Sequence, residues 1–178
     1  MQKKEQIVDS LAKGIEGLFK KNKVDILRGY GKFQDPKTIQ VEREPGNVKK
    51  YRSKHFIIAT GSEPVNFPGG ILPIDEKRVL SSTGALFLKE VPKNLLIVGA
   101  GVTGLELGTV YNRLGSSVEV VEYLDRVLPN FDREIGSYYL KILRKNGIKF
   151  NFTHKVIGGE TNGKSVKIIA EDSEVNLF

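Results

Sequence analysis

Residues 94–122 read NLLIVGAGVTGLELGTVYNRLGSSVEVVE, and the order of patterns in this stretch decides the fold. Residues 95–98 are an unbroken apolar run, as expected of a parallel strand covered on both faces. Gly99-Ala100-Gly101-Val102-Thr103-Gly104 comes next, a complete GxGxxG. Thr103, Leu107, Val110 and Leu114 then recur at helical spacing and predict one face of a helix that Gly115 stops. Val118, Val120 and Val121 predict a second strand with Glu122 at its tip.

Each glycine has a physical task in such a strand–turn–helix–strand unit. Gly99 permits a tight turn, Gly101 lets bare backbone approach a pyrophosphate, and Gly104 lets helix and strand pack closely, a contact that Gly108 extends. The free N–H groups and the positive end of the helix then face a diphosphate. Glu122, 18 residues beyond Gly104, stands where a carboxylate hydrogen-bonds the adenosine ribose hydroxyls. A lone GxGxxG is a weak signal, the alternative being a Gly-rich structural turn. The strand before it, the helix after it and the acidic strand tip favour a dinucleotide. A 2′-phosphate would face the Glu122 carboxylate. Like charges about 4 Å apart repel by about 4 kcal/mol at an effective dielectric of about 20, so NAD is expected over NADP. Arg126 is the nearby basic group, and it is expected to cap a loop or face solvent.

The chain has 178 residues, 39% of them hydrophobic, enough for one sizeable core or two modest ones. It has no cysteine, which excludes a disulfide framework, a thiolate metal site and a thiol nucleophile within it. His55 and His154 lack ligand spacing and read as strand-edge or turn residues, so no metal site is expected. The formal charge of +7 comes from scattered Lys and Arg pairs rather than a stripe interleaved with aromatics. Nucleic acid is therefore not expected as a partner. No run approaches the roughly 20 apolar residues of a membrane span, and no targeting segment is recognisable.

Residues 3–21 predict a helix with an apolar stripe of Ile7, Val8, Leu11, Ile15, Leu18 and Phe19. Strands are predicted at 24–28, 38–42 and 48–54, an antiparallel meander with turns at Asp35-Pro36 and Pro45-Gly46-Asn47. Residues 55–59 (HFIIA) predict a buried strand that runs into Thr60-Gly61-Ser62. That turn is either a ligand-facing strand end or an ordinary strand exit. Pro64, Pro68, Gly69, Gly70, Pro73 and Pro92 mark residues 63–93 as a connection between domains, with one short helix at 82–88. Asp132 is positioned to cap a helix running to Asn146, with Ile135, Tyr139 and Ile142 on one face and Gly147 ending it. A strand at 148–152 and a hairpin around Asn162-Gly163 complete the pattern; no domain-closing pattern is evident in residues 171–178.

With these motifs in view, the sequence resembles the dihydrolipoamide dehydrogenases, FAD enzymes among the pyridine-nucleotide–disulfide oxidoreductases. The resemblance rests on IIATGSEP (57–64), IDEKRVLSSTGALFLKEVPKN (74–94), residues 95–135 and the opening helix followed by GYGKF (29–33), and it covers residues 1 to 160. It implies an α/β protein with a Rossmann-type three-layer NAD-binding domain at 81–178, incomplete at its C-terminus. Residues 1–80 would be part of an FAD-binding domain, with its meander, and the linker. It further implies that Gly31, in a GYG turn, and Thr60, Gly61 and Ser62 contact FAD. Gly99, Ala100, Gly101, Val102, Thr103, Gly104, Leu105 and Glu106 would hold NAD, with Glu122 on the ribose and Val156 near the adenine. Glu106 matches a helix glutamate near the nicotinamide and flavin rings; a Glu favoured by the helix dipole explains it equally well.

The implied activity is electron transfer from dihydrolipoamide through an active-site disulfide and FAD to NAD+. The implied partners are lipoyl-bearing subunits of 2-oxoacid dehydrogenase or glycine-cleavage complexes, and the family is homodimeric. The implied compartment is the mitochondrial matrix in a eukaryote or the cytoplasm in a bacterium. The sequence departs from the family in lacking its first FAD motif, its cysteine pair, its second FAD motif and its dimer-forming domain. Thr103 also stands where isoleucine is usual. The chain therefore reads as an internal fragment, inactive alone. Another NADH-dependent flavin disulfide reductase, a transhydrogenase, or a stand-alone NAD-binding module are the alternative readings.

Overall fold

Gln2–Lys21 forms α1, and the helix is closed by its own backbone. Lys23 adopts a left-handed φ of 55°, and the Val24 N–H turns back to the Phe19 carbonyl at 2.9 Å, a closing motif that satisfies the last carbonyls. The computed structural model describes residues 2–172. It divides into two compact units, Met1–Ser62 and Glu63–Phe178. The breaker-rich stretch 63–93 thus groups with the second unit.

In the first unit three antiparallel strands form the meander: β1 (Tyr30–Asp35), β2 (Thr38–Glu42) and β3 (Val48–Arg52). The two predicted turns join them. The strand expected at 24–28 does not form. β2 is paired on both edges, by β1 and by β3, and residues 24–28 join neither of the sheet's outer edges. Residues 55–59 likewise have no ladder partners among the described residues. Ile57 is 94% exposed and Ile58 73%, so the expected buried strand is corrected to an open segment; only Phe56 packs, edge-on against Phe33 at 5.1 Å.

In the second unit a parallel sheet of order β4-β5-β6 is built from β4 (Asn94–Val98), β5 (Ser117–Val121) and β6 (Lys149–Asn151). The crossovers are α3 (Val102–Arg113) and α4 (Arg133–Lys145). Leu95 and Ile97 of β4 align with Val118 and Val120 of β5, and this face meets Leu105, Tyr111 and Leu143 of the helices in one core. Leu96, Val98 and Glu119 lie on the other face and are exposed. β4 is therefore covered on one face among the described residues, not on both.

The faces of both helices differ from the apolar stripes expected of them. In α3 the buried residues are Leu105, Gly108 and Tyr111, while Thr103, Val110 and Leu114 are exposed and Leu107 is half-buried. In α4 they are Gly136 and Leu143; of the expected stripe Tyr139 is half-buried and packs on the core, while Ile135 and Ile142 are exposed. Glycine explains the rotation. A Cβ at Gly104 would lie 2.9 Å from the Gly99 carbonyl oxygen, and one at Gly136 would lie 3.1 Å from the Val127 carbonyl oxygen. The helices approach their neighbours where a side chain is missing.

The caps behave as read. Asp132 accepts from the Glu134 N–H at 2.8 Å, and Gly115 and Gly147 take positive φ beyond the helix ends. The short helix α2 (Ser82–Ala85) stops at Leu86, before the expected residue 88. Tyr111 donates its hydroxyl to the Ala85 carbonyl, and burial raises the phenol's pKa. The hairpin of β7 (His154–Thr161) and β8 (Val166–Asp172) turns on Asn162, whose Oδ1 accepts from the N–H groups of Lys164 and Ser165. Of the C-terminal segment 171–178, residues 173–178 lie outside the described residues. No helix among the described residues is long and apolar enough to cross a membrane.

Gly104→Ala is expected to lower stability by about 1–3 kcal/mol in urea unfolding, because its methyl meets backbone that cannot give way. Gly108→Ala is expected to cost less, because its methyl meets the Cδ1 end of Ile97, at 2.7 Å, which can rotate aside. Asp75 accepts from the N–H groups of Arg78, Lys77 and Val79, and these bonds hold its carboxyl below the usual carboxylate range. A folded pKa below the unfolded one means stability that is present above the unfolded value and lost as pH falls through the folded one. Asp75→Asn is thus expected to melt below the parent at neutral pH, with the gap closing under acid conditions in a pH series of melts.

Candidate functional site

The elbow between β4 and α3 is built by two features of its sequence. Gly99, at φ 98°, turns the chain out of β4, and Gly101 opens α3 as an N-cap with no side chain closing the helix end. A Cβ built on Gly99 or on Gly101 meets nothing within 4 Å, so the outer surface of the elbow is bare, accessible backbone. Its inner side is packed. Ala100 is 0% exposed, and Leu105 is 1% exposed within the core.

Glu122 reaches the elbow directly. One carboxylate oxygen accepts from the Ala100 N–H at 2.6 Å and the other from the Leu124 N–H at 2.8 Å. Glu122 is 8% exposed, and its own carbonyl accepts from the His154 N–H at 3.0 Å. The Gly99 N–H is tied to the Val121 carbonyl at 2.8 Å, so the strand tip and the elbow are fastened at two points. Each carboxylate oxygen retains a second acceptor site for a hydroxyl.

The residues expected for the nucleotide divide by position. Gly99, Gly101, Val102, Thr103 and Gly104 form the outer turn and helix start, with Val102 and Thr103 exposed. Ala100 and Leu105 form its wall: their N–H groups are engaged, by Glu122 and by the Gly101 carbonyl, and their side chains are buried. Glu106 is exposed on the second turn of α3, since the helix begins at Val102; its dipole explanation, which applies to the first turn, fails. Val156 lies in β7, two residues beyond His154, which is held at the tip of β5. Arg126 turns to its own loop and donates to the Pro129 carbonyl at 3.0 Å.

Gly31, Thr60, Gly61 and Ser62 belong to the first unit. Gly31 is a strand residue paired with Val41, so the expected GYG turn is corrected to the start of β1. The glycine with a steric requirement there is Gly29, at φ 146°, where a Cβ would stand 2.5 Å from the Glu42 carbonyl oxygen. Thr60, Gly61 and Ser62 are exposed, with Gly61 at φ 76°.

Sequence reasoning missed Leu128. Its N–H donates to the Ala100 carbonyl at 2.9 Å from a left-handed φ of 50°. No local pattern marks it, because the bond joins a loop to an elbow far away in sequence.

The family model for pyridine nucleotide-disulphide oxidoreductases matches residues 2–177. A dihydrolipoamide dehydrogenase from Chaetomium thermophilum is 52% identical over 172 residues, which is 96% of this chain and 34% of that protein. A mitochondrial dihydrolipoyl dehydrogenase from Pisum sativum is 47% identical over 173 residues, 97% of this chain and 34% of that protein. Among solved structures, LpdA from Mycobacterium tuberculosis superposes with a TM-score of 0.82 at 24% identity, over 94% of this chain and 37% of that one, which establishes the shared fold. The chain spans about a third of the length of the curated relatives it matches. From the bare glycine elbow, the acidic strand tip fastened to it and a family match running almost end to end, it follows that the chain belongs to the pyridine nucleotide-disulphide oxidoreductase family.

Proposed function

We propose that this chain supplies the NAD site, and a portion of the FAD site, of a dihydrolipoamide dehydrogenase. The observation that carries the reading is the Glu122 carboxylate held against an elbow whose Gly99 and Gly101 surfaces are open. On this reading Glu63–Phe178 corresponds to the NAD-binding domain with its leading connection, and Met1–Ser62 to part of an FAD-binding domain. The diphosphate lies against the N–H groups at Gly101, Val102 and Thr103, at the positive end of α3. Glu122 accepts from the adenosine ribose hydroxyls, with Val156 beside the adenine. Glu106 and Thr103 face the nicotinamide. FAD lies along Gly31, Thr60, Gly61 and Ser62.

The whole enzyme would oxidise the dithiol of dihydrolipoamide to its disulfide and pass two electrons through a protein disulfide and FAD to NAD+, which takes them up with one proton as NADH while the second proton is released. These residues bind and orient; the flavin and nicotinamide supply the redox chemistry when bound. The partners on this reading are lipoyl-bearing subunits of 2-oxoacid dehydrogenase or glycine-cleavage complexes, and the working state is a homodimer. The compartment is the mitochondrial matrix in a eukaryote and the cytoplasm in a bacterium.

Calorimetric titration is expected to show NADH binding at least about tenfold tighter than NADPH, since a 2′-phosphate would meet a buried carboxylate. Equal affinities would remove Glu122 from the ribose. Gly101→Ala separates binding from folding. Its methyl has open space and its φ of −77° suits any residue, so stability is expected to stay within about 1 kcal/mol of the parent. NADH affinity is expected to fall at least about tenfold, because the diphosphate can no longer approach bare backbone. The chain has no cysteine and is expected to show no lipoamide-dependent NADH turnover when assayed alone.

A further inference from the structure

Both backbone polar groups of Ala100 are held. Its N–H is held by the Glu122 carboxylate at 2.6 Å, and its carbonyl accepts from the Leu128 N–H at 2.9 Å. The two grips come from opposite ends of the segment beyond β5. That segment is itself constrained: Glu122 also accepts from Leu124, and Leu128 accepts from the Phe131 N–H at 2.9 Å. Leu128 sits at φ 50°, a conformation that an L-residue holds only where its surroundings enforce it. Ala100, Val127 and Leu128 all belong to the buried core, so the grip is anchored in packed side chains.

A carboxylate is the group this geometry requires. Its two oxygens meet two N–H groups, those of Ala100 and Leu124. An amide of the same shape has one acceptor oxygen and would turn an NH2 group against the second N–H.

We propose that Glu122 and Leu128 are positioning residues that clamp the two peptide groups flanking the Ala100 Cα and fix the shape of the nucleotide elbow before any ligand arrives. The proposal rests on the reading that the elbow receives a dinucleotide. Its consequence is that Glu122 governs binding of NAD and NADP alike, and not only the choice between them. Removing its charge to admit a 2′-phosphate would loosen the elbow that both cofactors need.

The test is amide hydrogen exchange of the ligand-free chain, parent against Glu122→Gln, followed by NADH and NADPH titrations. The clamp is supported if the Ala100 and Leu128 amides exchange at least about tenfold faster in the variant while the Val120 amide of β5 is unchanged. NADPH affinity should then stay at or below that of the parent. The proposal is overturned if the Ala100 amide exchanges as in the parent, if all three amides accelerate together, or if NADPH binding improves. Glu122→Asp, which keeps the charge and shortens the reach, replaces the first variant should that fail to fold, and is judged by the same three amides. A parent chain that binds no NADH would remove the cofactor reading, and the clamp would then be decided by exchange alone.

Discussion

No side chain fits between α3 and β4 at Gly104, where a methyl would stand 2.9 Å from the Gly99 carbonyl oxygen and 3.0 Å from the Ile97 side chain. That closeness sets the line of α3, and with it the direction in which its first N–H groups point. A helix pushed outward by even one methyl would carry its positive end away from the turn at Gly99. The bare surface at Gly101, the buried wall of Ala100 and Leu105, and the reach of Glu122 all depend on this approach. The glycines are thus a packing device first, and the chemistry of the elbow is a result of the packing.

What could be read from the sequence was what local chemistry decides. The GxGxxG, the Asp132 cap, the glycines closing α3 and α4 and the Asn162 hairpin each rely on residues a few positions apart. What could not be read depended on partners far along the chain. Residues 24–28 and 55–59 have the composition of strands, but a strand also needs a ladder neighbour, and neither segment pairs with the β1-β2-β3 sheet. In α3 and α4 the apolar stripe misjudged the buried face. Ile135 and Val110 are hydrophobic enough to point inward, yet Gly136 and Gly108 take the close contacts. Hydrophobic periodicity weighs what a residue contributes to burial, and it is blind to a contact made by an absent side chain.

Glu122 shows how a single carboxylate can serve structure and, on the proposed reading, recognition together. Its place at the strand tip was legible because the spacing from Gly104 is characteristic. Its two backbone partners were not, because they depend on how residues 123–128 fold back over the elbow. A charge buried to this extent must be compensated, and two N–H groups provide for that within the protein. The site therefore contains a carboxylate whose two oxygens are each already satisfied by a backbone N–H without a ligand. Asp75 uses the same device on an exposed loop, where three backbone N–H groups converge on one oxygen.

The bond between Ala100 and Glu122 spans only 22 positions of sequence, with a single helix lying between its ends. The entropy lost on closing such a loop grows only with the logarithm of its length, each doubling adding about 0.6 kcal/mol. The elbow and its carboxylate are thus neighbours in time as well as in space. Once a ribosome has released residues 94–122, every atom of that contact is available, and the contact can form while later segments are still being synthesised.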